Sequence, residues 1–75
     1  MKSIEKTIFL KMVNDEISKL TNYDPTIKII DISVNENGLI NCFLSNHFEG
    51  EKFSLALKYI EQVEHLFNGR YNRLI

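Results

Sequence analysis

Seventy-five residues make one domain at most, a chain that buries only about 60% of the surface its unfolded form exposes. One cysteine excludes an internal disulfide and any cluster of paired cysteines around a metal, so the usual staples of small domains are missing. The net charge of −1, with both signs interspersed along the whole length, gives no general attraction for nucleic acid or acidic lipid.

The chain opens "MKSIEKTIFLKMVNDE", with charges where a signal peptide's apolar region would sit, and no stretch approaches the roughly 18 apolar residues of a membrane span. The expected location is therefore cytoplasmic, without membrane contact. Phe9, Val13, Ile17 and Leu20, with Leu10 beside them, recur at steps of three and four. This spacing predicts an amphipathic helix over about 3–20, capped by Ser3 and stopped in "TNYDP", where Asn22 can turn left-handed and Pro25 forbids continuation.

From Thr26 the period changes to two. "TIKIIDISV" places Ile30, Ile32 and Val34 on one apolar face, and "LINCFLS" does the same with Ile40, Cys42 and Leu44. Between them lies "NENG". A three-residue loop from Glu36 to Gly38 pairs Val34 with Ile40, Ile32 with Cys42 and Ile30 with Leu44, gathering all six on one face. It also puts Gly38 at the left-handed position of the turn. The hairpin is expected over about 26–45. A second helix over about 51–67 follows, with Phe53, Ala56, Leu57, Ile60, Val63 and Phe67 as its core stripe, "NG" as its stop and "RYNRLI" within a short tail, 68–75. The expected fold is a small single α+β domain in α-β-β-α order, an antiparallel hairpin packed against two amphipathic helices.

Cys42 is the only thiol and sits between apolar neighbours on the inward face, where a thiol is inert. His47 lies beyond the end of the strand. Glu61 and His65 share a helix face at a spacing of four, which suits a metal pair or an acid and base, but it is equally the spacing of a solvated pair. The chain has no glycine-rich phosphate loop and no Ser-His-Asp set. Neither enzyme activity, metal nor cofactor is expected. Glu64 falls at the margin of the second helix's core stripe, where Lys6 or Lys2 could pair with it.

The chain carries more apolar residues than one small core requires. Ile4, Ile8 and Met12 form a second stripe on the first helix, and Leu55, Tyr59 and Leu66 form one on the second. The outer hairpin face adds Ile27, Ile29, Leu39 and Phe43. The tail adds Arg70, Tyr71 and Arg73, residue types that anchor interfaces and also contact nucleic acid. These patterns predict a surface for another protein or for a second copy, with a homodimer joining two hairpins as the expected form. Ten isoleucines, eight asparagines and a single alanine fit the coding habit of an AT-rich genome and a phage or mobile-element origin. The expected role is a non-enzymatic inhibitor or modulator of a host protein assembly, for example an anti-defence protein of the anti-CRISPR kind, acting by steric binding. The alternatives are a dimeric nucleic-acid-binding regulator, which is not favoured, and a small viral structural or assembly protein.

Overall fold

The chain opens on a strand, where the sequence pattern predicts a helix. The computed structural model describes residues 2–75. Its elements run β1 (Ser3–Ile4), α1 (Lys6–Ser18), β2 (Ile29–Val34), β3 (Ile40–Leu44), α2 (Gly50–Phe67) and β4 (Arg73–Leu74). Two helices and a set of short strands make a small α+β domain, and the expected order lacks the strand at each end.

Those end strands pair with each other in parallel, Ser3 with Arg73 and Ile4 with Leu74. The Lys6 N–H donates to Ile75 O at 2.9 Å, Ile75 N–H to Ile4 O at 3.0 Å and Asn72 N–H to Lys2 O at 2.9 Å. Ser3 therefore does not cap α1. The cap position is Glu5, whose side chain makes no bond to the helix backbone and instead accepts from the Thr7 hydroxyl at 2.7 Å.

α1 buries Phe9, Val13 and Ile17 completely, the stripe that its spacing predicts. Each such side chain contributes about 1.5–3 kcal/mol relative to exposure. Beyond the helix Asn22 takes the left-handed conformation at φ 59°, and Asp24 and Thr26 bracket Pro25 in a turn closed by the Ile27 N–H to Asp24 O bond at 3.1 Å.

The hairpin pairs Val34 with Ile40, Ile32 with Cys42 and Asp31 with Phe43. At its tip Gly38 has φ 82°, its N–H donates to Asn35 O at 2.9 Å, and Asn35 Oδ1 accepts from the Asn37 and Leu39 N–H groups, both at 2.9 Å. No side chain fits at Gly38. A Cβ there would meet Gly69 Cα at 2.8 Å, because the hairpin tip docks on the turn after α2, with Gly69 N–H donating to Gly38 O at 3.0 Å.

Below Asp31 the expected register fails. The register shifts between Ile29 and Asp31, and Ile29, not Ile30, lies opposite Leu44. Ile30 is the extra residue of a bulge. One inserted residue inverts the facing of everything before it, so Ile30 is 58% exposed while Ile27 and Ile29, expected on the outer face, are buried in the core.

α2 also presents a different side from the one expected. It buries Ala56, Tyr59, Val63 and Phe67, whereas Phe53 and Leu57 stand 46% and 42% exposed. Tyr59 wins its place because its ring fills the core while its hydroxyl accepts the Asp24 N–H at 2.9 Å, the pairing a buried phenol needs. Phe9 joins the elements, meeting Phe67 edge-on at 5.5 Å and Tyr71 at 5.3 Å between ring centroids. Among the described residues the buried core holds no charged side chain, and no helix is long and apolar enough to cross a membrane.

Candidate interaction surface

The bulge that buries Ile29 also builds the outer face of the hairpin. With Ile30 inserted, Ile30 and Asp31 together lie opposite Phe43, and Ile30 and Phe43 are the large apolar groups left in solvent there. Leu39 stands exposed at the tip. Beside them Lys6 Nζ lies 2.7 Å from Asp31 Oδ1. That hydrogen bond, with a second from the Ile32 N–H at 2.9 Å, holds the Asp31 carboxyl below its usual pKa.

A second apolar strip runs along α2. Phe53, Leu57 and the half-buried Ile60 recur at steps of four and three, away from the side that faces α1. The side facing α1 is identified by the clefts between the helices. Leu55, Tyr59 and Gln62 line one with Leu20, and Leu66 and Phe67 line another with Met12.

The two edges of the hairpin are treated differently. At β2 the Asn14 side chain works like a neighbouring strand, accepting the Ile29 N–H at 3.2 Å and donating to Ile29 O at 2.9 Å and Leu10 O at 3.0 Å. At β3 the Asn68 side chain accepts only the Ile40 N–H, at 3.1 Å.

Of the residues proposed from the sequence as contacts, Ile8, Leu39 and Phe43 are exposed. Ile29 and Tyr59 belong to the core, for the bulge and the hydroxyl partner described above. Ile4, Met12, Leu55 and Leu66 are half-buried and pack on the core, which leaves them little surface to offer. The tail is split. Tyr71 meets Phe9 edge-on, Arg70 lies exposed with its guanidinium 5.3 Å from the Phe67 ring centroid, and Arg73 is exposed within β4. The structure adds Ile30, Phe53 and Leu57 to the exposed set. The pair Ile29-Ile30, two apolar residues in succession where the period is two, is the signal that could have located the bulge.

The chemistry-bearing residues stay apart. Burial pushes the Cys42 thiol up to about 11, with the Glu64 charge adding to it, so the thiol is protonated at neutral pH and is no nucleophile. Lys6 is engaged with Asp31, not Glu64. His47 and Glu49 face each other in solvent at 3.9 Å, Glu61 and His65 are exposed, and no group of three or more potential ligands gathers among the described residues. No protein-family model, curated protein or solved structure matches the chain.

Proposed function

We propose that this protein is a small non-enzymatic interaction module that binds a larger protein and blocks or modulates it by occupying a surface. The observation that supports this reading is the pair Ile30 and Phe43, exposed together on the outer hairpin face of a fold whose core is complete without them. Exposed aromatic and branched side chains of this kind act as interface anchors. The isoleucine- and asparagine-rich composition supports a phage or mobile-element origin and a role in the cytoplasm of a host bacterium, as an inhibitor of an assembly such as a defence complex.

The test uses a photo-cross-linking amino acid at Leu39, beside the patch, to identify the partner, and then compares affinities of the wild type and Phe43→Asp. The variant is expected to keep its helical circular dichroism and to bind the partner at least tenfold more weakly. Equal affinity overturns the assignment of the surface.

A further inference from the structure

Strand pairing alternates. Residues 41, 43 and 45 of the hairpin turn their backbone groups toward β2, as the Ser45 N–H to Lys28 O bond at 3.0 Å continues, so the N–H and C=O of Ile40, Cys42 and Leu44 point away from it. Asn68 takes the Ile40 N–H. No side chain among the described residues bonds the backbone of Cys42 or Leu44. The opposite edge is occupied: Asn14 bonds Ile29, Lys6 reaches Asp31, and Leu74 and Ile75 lie beside Ile32–Val34.

What flanks the open edge has a definite chemistry. With 100° per residue, Phe53, Leu57, Ile60 and Glu64 share the flank of α2 opposite the one that meets α1, and Glu64 is close enough for its charge to act on Cys42 in β3. Glu61 borders that flank. It carries no cation: Lys52 turns to Asp24 at 3.5 Å and Thr26 at 2.9 Å, and Lys58 lines the cleft at Leu20. From Leu39 to Asn46 the hairpin has no charged residue at all, although a charge is the ordinary device that keeps an edge strand from pairing.

We propose that β3 accepts an extended segment of a partner protein as an added strand, a segment whose helix-facing positions, every second residue, are apolar at one end and basic at the other. Its backbone bonds Cys42 and Leu44, its apolar side chains rest on Phe53 and Leu57, and its cations meet Glu61 and Glu64. Main-chain pairing supplies the affinity and the flanking side chains the selectivity. A second copy fits less well, because a two-fold pairing of β3 with itself brings Glu61 and Glu64 toward their own counterparts. The inference rests on the protein-binding reading above and adds the class of segment that is bound.

The probes are two capped octapeptides, a Lys-Val peptide Val-Thr-Val-Thr-Lys-Thr-Lys-Thr and a Glu-Val peptide with Glu in place of both Lys, whose Val and charged residues share one face when extended, followed by amide hydrogen exchange. In the free protein Cys42 and Leu44 should exchange fast beside slow Asn41 and Phe43. The Lys-Val peptide should slow Cys42 and Leu44 at least tenfold, the Glu-Val peptide should not, and the Glu61→Lys/Glu64→Lys variant should reverse the preference at an unchanged urea midpoint. Four results overturn the inference: binding without protection of those two amides, no binding of either peptide at millimolar concentration, an unreversed preference, or amides already protected in a free protein whose light-scattering mass is that of a dimer. The protein-binding reading fails separately. If Phe43→Asp weakens the partner while the edge stays unprotected, that reading stands and the added strand falls; if Phe43→Asp changes nothing while the edge is protected, the outer face falls and the added strand stands.

Discussion

α1 and α2 are both amphipathic and pack side by side, yet the core face of one follows from residue spacing and that of the other does not. For α1 the second stripe, Ile4–Ile8–Met12, lies well apart from Phe9–Val13–Ile17, and only the latter is fully buried. α2 offers two overlapping stripes, Phe53–Leu57–Ile60 and Tyr59–Val63–Phe67, with Ala56 between them. The buried one is chosen by a group outside the helix: the Asp24 N–H, 35 residues away in sequence, which bonds the Tyr59 hydroxyl. A helix rich in apolar residues is therefore oriented by its polar partners, and what remains of its apolar surface is available for another molecule.

The strongest test of this contrast is a pair of truncations in α2. Tyr59→Ala should cost about 3–5 kcal/mol in urea unfolding, as buried aromatics do, and Leu57→Ala less than about 1 kcal/mol. Similar losses would mean that both stripes are packed and that the contrast with α1 is false.

Next come the asparagines that each helix extends to a strand. Asn14→Ala leaves both the N–H and the C=O of Ile29 without their partner and should cost about 1–3 kcal/mol. Asn68→Ala, which frees one N–H at an exposed position, should cost about 1 kcal/mol or less. The same pair read by hydrogen exchange should open Ile29 in the first variant and Ile40 in the second.

The smallest effect is acid sensitivity. Asp31 and Asp24 both have pKa values below their ordinary 3.8, so each contributes stability above that value that is lost as pH falls through the lower folded one. Unfolding midpoints should therefore drop below about pH 4. For Asp31 the leading cause is the bond from Lys6, at the start of α1; for Asp24 it is the Thr26 hydroxyl and N–H, with Lys52 of α2 secondary. Lys6→Met should flatten the acid dependence more than Lys52→Met, in melts followed from pH 6 to 2. A larger effect of Lys52→Met would reverse the assignment.

The parts of the fold legible in the sequence are those governed by neighbours in the chain. Gly38 at the left-handed turn position, Asn22 beyond α1 and the Ile32–Cys42 register all follow from local conformational cost and parity. The bulge at Ile30 shows in the chain only as the switch of apolar positions from Ile27 and Ile29 to Ile30 and Ile32, which two-residue alternation read from the turn alone passes over. β1 and β4 leave no trace, since two residues cannot display a period and their partners lie seventy positions apart. The candidate surface divides the same way. Leu39 and Phe43 were legible because the turn fixes their place, whereas Ile30, Phe53 and Leu57 owe their exposure to a bulge and to a distant hydroxyl partner.

The parallel pairing of β1 with β4 bears on how the molecule comes into being. Ser3 and Ile4 are synthesised seventy positions before Arg73 and Leu74, so during synthesis the first strand waits for its mate. Pairing across seventy positions is the entropically slowest kind of contact. Tyr71, carried into the core on the same returning segment, arrives against Phe9 at the same late moment. Until that segment is made, Phe9 lacks one of its two aromatic neighbours and β1 lacks its only strand partner.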